Sequence, residues 1–473
     1  MSRKKDIAAY AFITIAAIVF LMIFSRGTSP LYPGIYTNDS TIFMYIGRAM
    51  KYGYVPYRDM YDTKGPAMWL IQYLGQVIHE GKGGIFILEI TAFAAALVLT
   101  YNIARRYLKI WQSLIVVLIS MIFIGGSFDD GNSVEQYSYL CSMISLYTAV
   151  NATENGVLKR HFVIYGITAM CAMLIRLTDC YIAGACIIYT GIRLIREKRI
   201  RGLITGFAIT LVSAIAVLTP FVIYYAANNA LYDMIDATLL FSMRYADFNK
   251  IYSIRRMLIL LFPLIASVYC SIKHKSALAV LLLVMTVTAA AVYAVIGTTY
   301  SHYMISAVPC VALASVLAIE RTKGVKPGYI ALAAVMLCCV NYVYMRQAAD
   351  GLLRVVFIGS SNQSAGFAED IDGIIGDVDR DSVYSYYSDN MIQFRNNTHS
   401  RSRYFISQIP WARDAETKNK IYEDFVSGNN KWVITNEYNM EKGDLRIAEI
   451  LNNNYTLVYS RDNYLLYERK EQQ

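Results

Sequence analysis

The chain has 473 residues, 56% of them hydrophobic and only 17% charged, with a mean hydropathy of +0.36. Soluble globular domains carry about a quarter charged residues. This balance excludes an ordinary soluble domain and, with repeated apolar runs of about 20 residues, indicates a polytopic membrane protein. The net charge of +9 does not argue for nucleic acid, because the basic residues gather in short loops between apolar runs, as the positive-inside rule describes.

In chain order the apolar runs predict about eleven spans: residues 7–24, 84–104, 110–127, 134–150, 161–177, 179–195, 203–225, 257–272, 276–296, 302–319 and 328–345. The opening MSRKK is followed by an apolar run with no clear small-residue cleavage site after it, so the first span reads as uncleaved. With Arg3, Lys4 and Lys5 inside, the loops alternate in charge. Arg105, Arg106 and Lys109 fall inside, as do Lys159 and Arg160, the cluster Arg193 to Arg201, Lys273 and Lys275, and Arg321 to Lys326. The short loops on the other side are nearly free of Lys and Arg. All eight cysteines lie within or at the ends of apolar runs and no CxxC occurs, which argues against a disulfide framework or a zinc site.

The same alternation puts the tail outside. Residues 346–366 read as a linker. In residues 367–473, strand-like runs at 382–387, 432–435, 455–459 and 464–467 alternate with helix-like runs at 415–427 and 445–452. The last two strands suggest a hairpin turning at 461–463. The expected fold class is therefore a polytopic α-helical membrane protein over 1–345, with a small C-terminal extracytoplasmic α/β domain.

Charge concentrates in the outer loop 25–83, where YTNDSTIFMYIGRAMKYGYVPYRDMYDTKGPAMWLIQYL occupies residues 36–74. Asp39, Asp59, Asp62, Lys64, Asp129, Asp130, Glu135, Arg176, Asp179, Arg244, Asp247 and His302 all fall on this outer side, Asp59 reading as structural. A mixed-sign cluster at one membrane face suits a site that binds a charged ligand and moves a proton. Residues 40–52 form an amphipathic pattern suited to the interface plane. At its start Asp39 is equally placed to cap the helix or to accept a proton. Lys64 precedes Pro66 at the start of the next apolar helix. There it is placed to meet a phosphodiester, or to snorkel as lysines commonly do. Asp62 is either a surface charge or its orienting partner.

The run from Asp39 through GRAMKYGYVPYRDMYDTKGPAMWLIQYLG resembles the first outer loop of GT-C glycosyltransferases, in the branch related to protein O-mannosyltransferases and lipid A aminoarabinose transferases. The resemblance implies that Asp39 is the catalytic base. It also implies that Asp62, Lys64 and Pro66 correspond to an acidic-Lys-Pro motif holding the donor's lipid phosphate, with Gly65 where a second Pro often stands. More loosely, Glu135 in SVEQYSY resembles an acidic residue of the second outer loop. Arg176 in IRLTD resembles a basic residue of the third, and His302-Tyr303 a recurrent pair at a late span start. Glu135 and Arg176 could equally be a buried pair bridging spans, and His302 an interfacial residue.

The function these residues imply is inverting transfer of a sugar from a polyprenyl-phosphate donor to a glycan, lipid or protein acceptor at the outer face. Asp39 would be the base and Lys64, with Arg176 or Arg244 as weaker candidates, would stabilise the phosphate. Asp62, Glu135, His302 and Tyr303 would support them. No cofactor is expected; a divalent metal held by Asp39 with Asp129, Asp130 or Glu135 is not favoured. The expected location is a bacterial plasma membrane, N-terminus cytoplasmic and tail extracytoplasmic. A lipid-linked glycan flippase would need charges lining a path across the bilayer, and here they stay at one face. A polymerase or ligase of the O-antigen type would use Arg244, Arg255 and Arg256 in the loop 226–256.

Overall fold

A computed structural model describes residues 2–34, 36–241, 243, 257–297, 300–321, 346, 349–350, 353, 363–405, 415–440 and 443–471. The first long helix is α1 (Ser2–Phe24), followed by a pair of shorter helices, α2 (Asn38–Lys51) and α3 (Pro66–Ile78). The bundle continues with α4 (Lys82–Arg105), α5 (Ile110–Gly125), α6 (Val134–Asn155), α7 (Lys159–Ile175), α8 (Tyr181–Arg196) and α9 (Ile200–Ala227). It is completed by α10 (Leu261–His274), α11 (Ala277–Ile296) and α12 (Val308–Arg321), the last entered through a 3-10 turn at His302–Ala307.

Six segments among the described residues are long and apolar enough to cross a membrane: Lys4–Phe24, Lys82–Arg105, Leu177–Arg196, Ile200–Ala227, Ala277–Ile296 and His302–Arg321. Two shorter apolar helices accompany them, Ile110–Gly125 and Leu258–His274. The count of about eleven is thus not reached by length and composition. Helices α6 and α7 stand where spans were expected, but α6 carries Ser, Thr, Asn and Glu along its length and buries residues all round, including Ser138, Ser142, Ser145 and Thr148. Protein rather than lipid surrounds it. The expected span 328–345, the residues Arg244, Asp247, Arg255 and Arg256, and most of the 346–366 linker lie outside the described residues.

The segment His302–Arg321 that carries α12 is central and buried along most of its length, whereas α9 is peripheral and almost nowhere buried. The exposed side of α9 presents Ile204, Phe207, Leu211, Val212 and Ile223. An apolar surface of that extent requires lipid, because water would penalise every square ångström of it. The chain is a membrane protein.

The tail holds a four-stranded sheet of β1 (Val383–Tyr386), β2 (Trp432–Asn436), β3 (Tyr455–Arg461) and β4 (Tyr464–Arg469), in the order β1-β2-β4-β3. Strands β1 and β2 are parallel, and β2–β4 and β4–β3 antiparallel. Asp462 and Asn463 both have positive φ, 50° and 68°, the backbone that a tight two-residue hairpin needs and that Asp and Asn tolerate. Among the described residues the longer helices of the tail are α13 (Gln363–Ile375), α14 (Asn390–Asn396), α15 (Ala415–Gly428) and α16 (Leu445–Asn454), with one turn of helix at Glu437–Met440. Helix α13 begins inside the stretch read as linker.

Side chains alternate across the sheet with period two. Val383, Trp432, Ile434 and Leu466 pack against Phe367, Ile371 and Ile375 of α13. Tyr384, Tyr386 and Val433 face the other way, into a core shared with Phe43, Ile46, Tyr57 and Trp69 of the outer loop. Here the interfacial reading of α2 is overturned. Its apolar residues Ile42, Phe43 and Ile46 are 7%, 2% and 0% exposed, covered by α3 and by the tail helix α14 rather than by a bilayer surface. Arg48 seals the contact: its guanidinium donates to the Phe394 carbonyl and lies 3.9 Å over the Phe394 ring.

Candidate functional site

The loop at the end of α1, the starts of α2 and α3, the ends of α5 and α7, and the entrance to α12 converge on one end of the bundle. Helix α2 is capped at Thr37, so Asp39 is its second residue and not the cap. Among the described residues the Asp39 carboxylate forms no hydrogen bond or ion pair. Its side chain is exposed at this end of the bundle. Partial desolvation there raises its pKa above the ordinary carboxylate value, the fields of Lys64 and His302 pull it down, and Asp62 and Asp129 push it up again.

Lys64 faces it from the α2–α3 connection. Its ammonium lies 3.6 Å from Asp62 Oδ1 and 5.3 Å over the Phe43 ring. Asp62 is buried and its Oδ1 also accepts the Lys64 backbone N–H at 2.9 Å, while the Tyr57 hydroxyl donates to the Lys64 carbonyl at 2.7 Å. The backbone carrying Lys64 is thus held at two points. Burial opposes its charge, but Asp62 and Asp39 outweigh that and hold its pKa above the usual lysine range. Next to it, Gly65 caps α3 with Pro66 at the first helical position. Gly65 N–H donates to the Ile175 carbonyl at 2.9 Å. A Cβ built on Gly65 would fall 2.1 Å from the Leu174 oxygen, so neither Ala nor Pro fits this position.

After the end of α7, Arg176 is paired with buried Glu135, lies 3.8 Å from Asp179 Oδ1, and covers the Tyr303 ring at 3.8 Å. Asp179 accepts from Ser138 at 2.6 Å and from Ser306 at 3.4 Å. His302 Nδ1 is 3.0 Å from Asp129 Oδ2, its Nε2 is 4.0 Å from Glu135 Oε1, and its ring stacks on Tyr300 with centroids 5.4 Å apart. Arg176 and Glu135 therefore form the buried pair that was the alternative to direct phosphate binding; the Arg176 charge is already balanced by carboxylates. The two groups of charges act on one another: Lys64 feels Tyr303 and Arg176, and Asp39 feels His302 and Asp129. Asp39, Asp62, Lys64, Glu135, Arg176, His302 and Tyr303 thus gather at one place. Asp59 does not join them, being bound to Arg58 at 2.7 Å and to the Val55 N–H at 2.7 Å. Among the described residues no group of three or more His, Cys, Asp or Glu is arranged to hold a metal ion.

One part of the site went unread in the sequence. Glu89, fully buried in α4, accepts from Ser25 Oγ at 3.0 Å, from the Thr28 hydroxyl and from the Asn132 N–H at 2.6 Å. The Asn132 amide in turn donates to Ser40 Oγ at 3.2 Å and accepts from Gln72 at 2.8 Å and from Tyr137 at 2.8 Å. This chain of bonds ties the loop after α1, α4 and the loop after α5 to the first turn of α2, beside Asp39. A signal existed: Glu89 is the one acidic residue in the apolar run 84–104, and an ionisable group within such a run needs a reason.

The family model described as "Putative competence-induced protein Ccs4 N-terminal domain" matches residues 2–327. No curated protein matches the chain. Among solved structures, ArnT from Cupriavidus metallidurans bound to undecaprenyl phosphate aligns over 98% of both chains, with a TM-score of 0.63 and 10% identity. Its apo state gives a TM-score of 0.64, also at 10% identity, over 99% of this chain and 98% of that one. The oligosaccharyltransferase AglB from Archaeoglobus fulgidus, in complex with an inhibitory peptide and a dolichol-phosphate, aligns over 98% of this chain and 74% of its own, with a TM-score of 0.53 and 13% identity. The fold is GT-C.

Proposed function

We propose that this chain, which belongs to the family of the Ccs4 N-terminal domain, is a membrane glycosyltransferase that moves a sugar from a polyprenyl-phosphate donor to an acceptor hydroxyl. The observation that carries the reading is the Asp39 carboxylate, without a bonded partner among the described residues, standing in the field of the charged Lys64. A base and a cation held apart are what a transfer needs when a proton leaves the nucleophile as an anion departs. The GT-C fold shared with an ArnT bound to undecaprenyl phosphate and an AglB bound to a dolichol-phosphate supports the lipid donor.

In this mechanism the acceptor hydroxyl attacks the anomeric carbon and gives its proton to Asp39. The bond from that carbon to the phosphate oxygen breaks with inversion. The lipid phosphate leaves with its electron pair, and Lys64 neutralises the growing charge. Asp62 positions Lys64, and Arg176, anchored by Glu135 and Asp179, contributes a second positive field. His302 and Tyr303 stand beside Glu135 and Arg176. The reading takes no metal and no cofactor. The site end of the bundle is the extracytoplasmic side of a bacterial plasma membrane, the N-terminus is cytoplasmic, residues 1–345 form the catalytic unit and the tail lies outside as a soluble α/β domain. Cell-envelope glycan modification is the corresponding role. Because Asp39→Asn preserves shape and removes the base, membranes supplied with a labelled polyprenyl-phosphate sugar test the reading: transfer should be lost, and transfer at the wild-type rate would overturn it.

A further inference from the structure

A cleft of about 560 Å³ opens between the chain leaving α2 and the tail, within the roughly 300–1,000 Å³ of typical ligand sites. Such sites are mostly apolar. This one is lined by Tyr, Gly, Ser, Arg and Asp with no aliphatic residue, which disfavours a lipid or a drug-like apolar ligand. Its charges cancel internally. Arg58 holds Asp59, Arg403 reaches Asp233 at 2.8 Å, Tyr54 donates to Asp381 at 2.9 Å, and Asp424 accepts the Tyr404 N–H at 3.0 Å. A polyanion would find three aspartates among the three arginines. A neutral ligand rich in hydroxyls would find alternating fixed acceptors and donors. Tyr52 is 53% exposed at the edge, a flat face suited to the C–H side of a sugar ring. Among the described residues Arg401 has no ion-pair partner and is free to donate.

The cleft is not the Asp39 site. Helix α2 separates them, and its 14 residues at a rise of about 1.5 Å each put them about 20 Å apart. We propose that this cleft is a saccharide-binding subsite that holds a neutral sugar unit of an extended acceptor glycan, with another part of the glycan at Asp39. The rigid helix between them would set the distance from the held unit to the reacting one. The assignment of the ligand as acceptor rests on the transferase reading; the saccharide site itself does not.

The test uses the purified full chain in lipid nanodiscs and a panel of neutral linear oligosaccharides, with binding followed by saturation-transfer NMR and calorimetry. Tyr52→Ala and Arg401→Ala, both surface changes, should each weaken binding by about tenfold or more, while Asp39→Asn binds as wild type. In transfer assays the same two variants should raise KM for a long acceptor and leave that for a short one unchanged. Undiminished binding in both variants, no binding of any neutral oligosaccharide, or binding of an acidic polymer alone would overturn the proposal. If Asp39→Asn still transfers sugar while Tyr52→Ala has lost binding, the transferase reading fails and the saccharide site stands. The reverse pattern removes the site and keeps the transferase.

Discussion

The backbone of Gly65 runs so close to the end of α7 that its N–H meets the Ile175 carbonyl at 2.9 Å and a side chain would strike the Leu174 oxygen. This one approach sets the separation between Lys64, on the residue before, and Arg176, on the residue after Ile175. Gly65→Ala must push the two strands of chain apart. A displacement near 1 Å at the cation proposed to meet the leaving phosphate would cost about 100-fold in rate, so kcat should fall by that order. The thermal midpoint should drop by only what a local overpacking of about 1–3 kcal/mol produces.

Acid should switch the reaction off at a higher pH than a free carboxylate would dictate. As the proposed base, Asp39 is competent only when ionised, and desolvation raises its pKa from 3.8, so the acid limb of kcat/KM should shift upward. Lys64 and His302 lower that pKa. Replacing either by a neutral residue, Lys64→Met or His302→Gln, should therefore move the limb to still higher pH, whatever it does to the absolute rate. A pH–rate profile in which neither change moves the limb would separate Asp39 from the base.

The Glu135–Arg176 pair should reveal itself through non-additivity. Glu135 is 0% exposed, so Arg176→Met strands a buried carboxylate at a cost of about 3–5 kcal/mol. Adding Glu135→Gln removes that charge and should restore most of the thermal stability. Donor KM measured on the restored double variant then isolates any direct action of Arg176 on the lipid phosphate.

His399 gives the docked tail an acid limit. Its ring lies between Tyr54 and Tyr45, with centroids 4.6 Å and 5.5 Å away, and neither nitrogen has a hydrogen-bond partner among the described residues. Burial lowers its pKa from 6.5 to about 4, Asp381 partly countering and Arg48 adding to the effect. A folded pKa below the unfolded one means that the unfolded chain binds the proton first. Stability is therefore lost as pH falls from 6.5 towards 4, by about 3 kcal/mol in all. His399→Phe should flatten the pH dependence of thermal unfolding between pH 7 and 4.5, and of proteolysis in the tail.

Much of this architecture was legible because it is written locally. Apolar runs mark α1, α4, α8, α9 and α11, since a helix in lipid must be apolar along its own length. Alternation and an Asp-Asn turn mark β3 and β4 because side-chain direction in a strand depends only on the neighbours. The resemblance of loop 36–74 to GT-C glycosyltransferases could be drawn from its own residues. The interfacial placement of α2 failed for the opposite reason. Its amphipathic pattern states that one face must be covered, and only the fold supplies α3 and the tail as the cover instead of lipid.

The charged loop 36–74 was thus determined by sequence as the place where charge gathers, since the cost of desolvating Asp39, Asp62 and Lys64 between apolar runs demands a use for them. The tertiary structure decided how those charges divide. Arg176 is balanced by Glu135 and Asp179, Asp59 by Arg58, Glu89 by hydroxyls and a backbone N–H, and Asp39 by no bonded partner among the described residues. Pairing is a matter of distances between residues up to 173 positions apart, as for His302 and Asp129. Such distances are set by how helices pack and not by which residues they contain.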